Sequence, residues 1–170
     1  ILVGLGDTAA AIELYRRLLA EKPGDPEISL SLGHALKTQG LRRESEQAYQ
    51  DAARFRPNFG DAYWSLANLK TYRFSDEQVA GMREHVRSRR TPHEDRVHLC
   101  FALGKALEDR GEYAESFRCY DQGNALRRGD GGYRAETLEG TLQEQAKLCT
   151  REFFESRRGW GCPDPSPIFI

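Results

Sequence analysis

Several residues recur along this chain at one fixed offset. Gly6 and Gly40 stand 34 positions apart, and so do Tyr15 and Tyr49, and Pro23 and Pro57. A second set stands 71 apart: Gly33 and Gly104, Gly40 and Gly111, Tyr49 and Tyr120. Seventy-one is two periods of 34 plus three, so the chain reads as four repeats with a three-residue insertion in the third. A period of this size means stacked units, each burying against its neighbours a face that it cannot bury alone.

Start and stop signals make each unit a pair of helices. Asp25-Pro26 is a cap followed by proline at the first helical position. Ser75 with Gln78, and Thr91 with Glu94, have capping-box spacing. Gly40 and Gly111 sit where the turn between paired helices needs a left-handed residue, and Pro23 and Pro57 end the second helices. The pattern predicts helices over 8–21, 26–39, 42–55, 60–72, 76–88, 93–109 and 113–127. It adds a capping helix near 133–149 and a short one near 151–157, with no strand before the final residues.

The second repeat carries Leu32, Gly33, Leu36, Gly40, Tyr49, Ala52 and Pro57, and the fourth carries Leu103, Gly104, Leu107, Gly111, Tyr113, Tyr120 and Gly123. The third keeps Tyr63, Leu66 and Ala67, and the first only Ala11, Tyr15, Leu18 and Pro23. Period and residue types resemble the tetratricopeptide repeat. The resemblance implies an all-α solenoid, a right-handed superhelix of helix-turn-helix units, with a C-terminal capping helix. The array is expected over 1–128, as a partial repeat 1–25 and repeats 26–59, 60–96 and 97–130. Residues 131–158 are expected to hold the capping and short helices, and 159–170 a linker and the first strand of a further domain. Because the chain opens at Ile1 in mid-pattern, it is expected to be a fragment.

Composition narrows the function classes. Charged residues make up 30% of the 170 residues and mean hydropathy is −0.68, with no apolar run of membrane-spanning length. Twenty-five basic residues against 26 acidic ones leave no basic excess for nucleic acid or anionic membranes. The four cysteines, 100, 119, 149 and 162, form no C-x-x-C pair. They are expected to be reduced in a cytoplasmic protein, with Cys100 and Cys119 in the core. His93-Glu94 with His98 is one residue too long for a helical H-E-x-x-H metal motif. Arg128-Gly129-Asp130 reads as a turn, and Gly129–Gly132 as a join. Arg83 to Arg96 holds five arginines diluted by Glu84, Glu94 and Asp95. It reads as a solvated helix end, with an anion-contacting or docking patch as the alternative.

The C-terminal part carries a second resemblance. His98-Leu99-Cys100-Phe101-Ala102-Leu103-Gly104-Lys105-Ala106-Leu107-Glu108-Asp109, then Tyr120 with Gly123-Asn124-Ala125-Leu126-Arg127-Arg128, resemble the last repeat of bacterial proteins that join tetratricopeptide repeats to a sulfotransferase domain. Phe153-Phe154, Gly159-Trp160-Gly161 and Pro167-Ile168-Phe169-Ile170 are similar to the same family. That implies a parent protein using 3′-phosphoadenylyl sulfate, whose phosphate loop would follow Ile170. No catalytic, cofactor or metal residue is expected in this chain.

The expected site is a groove lined by the first helix of each pair. Helical spacing selects Leu30, His34 and Lys37; Trp64, Asn68 and Tyr72; His98, Phe101 and Lys105. Aromatic anchors beside amide and ammonium donors suit an extended peptide or a carboxylate chain end. Packing of Trp64 and Phe101 between repeats or against a further domain is the alternative. The expected function is a non-catalytic protein-interaction module that presents substrate or mediates assembly in a sulfotransferase-like parent. A free-standing adaptor for peptides or chaperone tails is a second reading. A structural spacer or homo-oligomerising array is a third. Expected partners are a protein or peptide, the parent's C-terminal domain, or a second copy of the chain.

Overall fold

A computed structural model of the chain describes residues 7–129 and 135–160. The chain divides into two units, Ile1–Asp130 and Gly131–Ile170. The first holds α1 (Thr8–Glu21), α2 (Pro26–Thr38), α3 (Arg42–Phe55), α4 (Gly60–Ala67), α5 (Asp76–Arg87), α6 (His93–Asp109) and α7 (Tyr113–Gly129). The second holds α8 (Ala135–Leu148) and α9 (Arg151–Glu155). No strand occurs among the described residues. The final strand expected at 168–170, most of the linker and the join at 130–132 lie outside them.

Helix pairing follows the repeat. α2 packs on α3 and α6 on α7 within units, while α1 on α2, α3 on α4, and α5 on α6 join units. The first helices α4 and α6 also pack directly on each other. Two glycine–tyrosine contacts set the spacing within the second and fourth pairs. A Cβ on Gly33 would overlap the ring of Tyr49, and one on Gly104 would come within 2.8 Å of the ring of Tyr120. Helix backbones therefore approach closely enough for a tyrosine of the second helix to lie against the first. Gly40 and Gly111 both take φ of 76°, which permits the sharp turn into the second helix.

The ends are held by side chains. Asp25 accepts hydrogen bonds from the N–H groups of Glu27 and Ile28, and Ser75 with Gln78 forms the reciprocal capping box. Thr91 differs from expectation. Pro92 is the cap of α6, and the Thr91 hydroxyl donates instead to the carbonyl of His85 at 2.7 Å. It satisfies the end of the preceding helix rather than the start of the next.

The three extra residues fall between α5 and α6. The second helices α3 and α5 begin 34 positions apart, but α5 and α7 begin 37 apart. α6 therefore starts at His93, four residues before the position that matches Pro26, and is a turn longer than α2.

The third repeat departs further. α4 ends at Ala67 instead of residue 72. The position matching Gly40 and Gly111 is Phe74, which cannot readily take a left-handed backbone. The chain leaves the helix earlier, and Lys70 takes φ of 65°. Residues 71–75 then run without helix, and Phe74 is buried beside Tyr63 and edge-on to Tyr72 at 4.9 Å. Apolar burial of a phenylalanine, worth about 2 kcal/mol, outweighs the extra helical turn.

Two apolar clusters result. Ile12, Leu32, Ala35, Leu36 and Ala48 fill the space between α1, α2 and α3. The larger cluster runs from Leu30 through Tyr49, Phe59, Leu66, Met82 and Leu99 to Cys119. In the second unit, α8 has no buried residue. α9 is capped by the Thr150 hydroxyl, which accepts from the Phe153 N–H at 3.1 Å.

Candidate functional site

The first helices bring a row of aromatic rings together. Trp64 on α4 and Phe101 on α6 occupy matching repeat positions, and their rings lie 5.6 Å apart. Phe101 in turn lies 6.2 Å from Tyr120 on α7. All three are half-buried, packed on one side and open on the other. The Trp64–Phe101 contact joins α4 to α6 across repeats, as the packing alternative expected.

The polar residues chosen from the sequence differ in what they bind. Asn68 caps the C-terminus of α4, and its side-chain amide has no partner among the described residues. Lys37 on α2 is exposed and likewise unpaired. His34 on α2 makes a 3.0 Å hydrogen bond between Nδ1 and the Tyr49 hydroxyl, with the rings edge-on. Burial lowers the His34 pKa against the opposing pull of the Asp61 carboxylate, so the neutral imidazole is favoured. Burial also raises the Tyr49 hydroxyl to about 12.

Of the remaining expected residues, Leu30 and Tyr72 lie off the exposed helical face. Leu30 is buried in the core rather than exposed on the face, because α2 packs that side against α3 and the large apolar cluster. Tyr72 is not on a helix at all. Its hydroxyl donates to Gln78 Oε1 at 3.0 Å and accepts from Gln78 and Gln50, which fixes it in the α4–α5 connection. His98 Nε2 lies 3.6 Å from Glu94. Lys105 is bound to Asp109 one turn along, and Asp109 also accepts from Arg73 at 3.3 Å. The Lys105 ammonium is therefore committed within the chain, leaving Lys37 as the unpaired cation among the residues chosen from the sequence. The i,i+4 spacing of Lys105 and Asp109 was the readable signal.

A charged network beneath the face escapes sequence reasoning. Arg56, after α3, places Nη2 2.9 Å from both carboxylate oxygens of Asp95 and Nη1 2.6 Å from Glu27. Asp95 Oδ1 also accepts from the Gly60 N–H at 2.9 Å. The guanidinium stacks on Phe59 at 3.6 Å from the ring centre. One arginine thus ties together the starts of α2, α4 and α6 and holds the first helices in register. Its partners are 29 and 39 positions away, beyond any local pattern.

No cluster of three metal-ligating side chains occurs among the described residues, and no described helix is long and apolar enough to cross a membrane. Helix pairing, the glycine–tyrosine contacts and the 34-residue register all describe one repeat type. Residues 2–69 match the tetratricopeptide repeat family. The fold of the first unit is a tetratricopeptide-repeat helical solenoid. Tetratricopeptide repeats generally mediate protein–protein interaction and are typically non-catalytic. No curated protein matches the chain.

Proposed function

We propose that this chain is a non-catalytic peptide-binding module whose first-helix face receives an extended segment of a partner protein. The observation that supports this is the Trp64–Phe101–Tyr120 row, with the amide of Asn68 four residues along from Trp64 and the ammonium of Lys37 on α2 both unpaired among the described residues. Aromatic rings supply apolar contact with little entropy to lose, and the amide can pair with a peptide backbone. Lys37 provides the attraction for a carboxylate.

The chain has two tryptophans, so Trp160→Phe leaves Trp64 as the sole reporter in the groove. Peptides with free C-terminal carboxylates should saturably shift its fluorescence. Asn68→Ala with Lys37→Ala should weaken that binding at least about tenfold, the loss of two hydrogen-bonded contacts. Unchanged affinity in the double variant would remove both from the site. No response across a diverse peptide panel would sink the groove reading.

A finer reading places this module before a sulfotransferase domain that uses 3′-phosphoadenylyl sulfate. It is supported by the similarity over residues 98–109, Tyr120 with 123–128, 153–154, 159–161 and 167–170. Reading the gene beyond Ile170 tests it. A glycine-containing Pro-Arg-Ser-Gly-Thr-type loop directly after Ile170 is expected, and an unrelated continuation overturns it.

A further inference from the structure

The second helices carry a separate cleft. It lies between α5 and α7, with a volume of about 310 Å³. Val86, Leu103 and Cys119 contribute its apolar lining, while Arg83, Arg87 and Arg118 bring three guanidinium groups to it.

Arg83 stands where the second and fourth repeats have Tyr49 and Tyr120. With no ring there, the side chain reaches across to α7. Its Nη2 donates to Glu115 at 2.9 Å and to Glu112 at 3.2 Å. Its Nε is buried without a hydrogen-bond partner. Arg87 and Arg118 are exposed, and neither has a carboxylate partner among the described residues.

Glu115 and Glu112 together offset Arg83, while Arg87 and Arg118 remain without a carboxylate partner among the described residues, beside a partly apolar pocket. A single carboxylate would leave one of them unmatched. A phosphate monoester carries about −1.5 to −2 at neutral pH and offers three acceptor oxygens to planar guanidinium forks. The cleft is larger than a phosphate group alone, and Val86 and Leu103 can receive the carbon that carries it. We propose that the α5–α7 cleft binds a phosphate monoester carried on a side chain of a partner protein, held by Arg87 and Arg118. This would be a second contact point, independent of the groove on the first helices.

The test uses the whole chain and three probes: a short serine-phosphorylated peptide, its unphosphorylated twin, and phenyl phosphate. Calorimetry at low salt measures affinity, and the methyl resonances of Val86 and Leu103 report location. The phosphopeptide should bind and shift both methyl signals, and its twin should not. Arg87→Gln with Arg118→Gln should weaken that binding at least about tenfold, the loss expected for two charge-assisted forks. Neither arginine is packed in the core, so the melting temperature of this variant should stay unchanged. Equal binding of phosphorylated and unphosphorylated peptides overturns the proposal, as does full affinity in the double variant. Binding that leaves the two methyl signals still also overturns it. Phenyl phosphate binding more tightly than the phosphopeptide would overturn the protein partner and assign the cleft to a small ester.

Discussion

The backbone N–H of Gly60 donates to the Asp95 carboxylate at 2.9 Å, and a Cβ on Gly60 would fall inside the carbonyl of the same residue. The starts of α4 and α6 therefore touch backbone to backbone. The glycine is required by that approach alone, since its φ is not in the left-handed region. Gly60→Ala should be the most damaging of the glycine substitutions, because a backbone carbonyl cannot swing aside. A loss of about 3 kcal/mol or more is expected, at the upper end for overpacking. Gly33→Ala and Gly104→Ala meet tyrosine rings, which can shift, and should cost about 1–3 kcal/mol. Urea unfolding of the three variants tests the order. Equal midpoints for Gly60→Ala and the parent would refute the contact.

Gly81 gives the opposite sign. It lies inside α5 with nothing within 4 Å of a built Cβ. Gly81→Ala should stabilise the chain by about 0.5–1 kcal/mol, by removing the entropy cost of glycine in a helix. A lower urea midpoint would show that the space is not free.

Asp95 is buried and holds both Arg56 and the Gly60 N–H. Asp95→Ala leaves a buried donor and a guanidinium without their acceptor, so a loss of about 3 kcal/mol is expected. Arg56 keeps Glu27 and some solvent access, which moderates the effect. Glu27→Ala removes only an exposed partner and should cost under about 1 kcal/mol. Comparable losses from the two variants would contradict this ranking.

His34 makes stability depend on pH. Its pKa in the fold is lowered, chiefly by burial, so below the ordinary value of 6.5 the unfolded chain binds the extra proton more readily. Stability from this group is full above 6.5 and falls as pH drops through and below that value. Thermal melts from pH 7.5 to about pH 5 should show a decline that His34→Gln reduces. An identical slope in the variant would assign the decline to other groups.

The thiols should differ in reactivity. Burial raises Cys100 to about 11, reinforced by Cys119 and opposed by Arg96. Cys119 is also raised, again chiefly by burial. Cys149 is exposed. Alkylation at mild pH with mapping by mass spectrometry should label Cys149 well before Cys100 or Cys119, since the thiolate is the nucleophile. Early labelling of Cys100 would mean that α6 and α7 open readily.

Much of the fold could be read from the chain because a repeat states its structure several times. Gly33 with Tyr49 and Gly104 with Tyr120 share one offset, and both pairs pack the same way. Asp25-Pro26 and Ser75 with Gln78 mark helix starts through local hydrogen bonds, which depend only on neighbouring residues. The groove was partly legible for the same reason, since Trp64 and Phe101 occupy matching positions.

What the linear pattern did not decide lies where one repeat breaks the rule or where distant residues meet. Phe74 at a glycine position ends α4 early, and that moves Tyr72 off the helical face and into a hydrogen-bonded corner. Arg83 at a tyrosine position opens the cleft between α5 and α7. Leu30 has the spacing of a groove residue, yet the neighbouring helices bury it. Arg56 finds Asp95 only after three repeats have stacked. Local periodicity determines which residues share a helix face. Only the packing of one helix on the next determines whether that face is covered, and which charges are already paired.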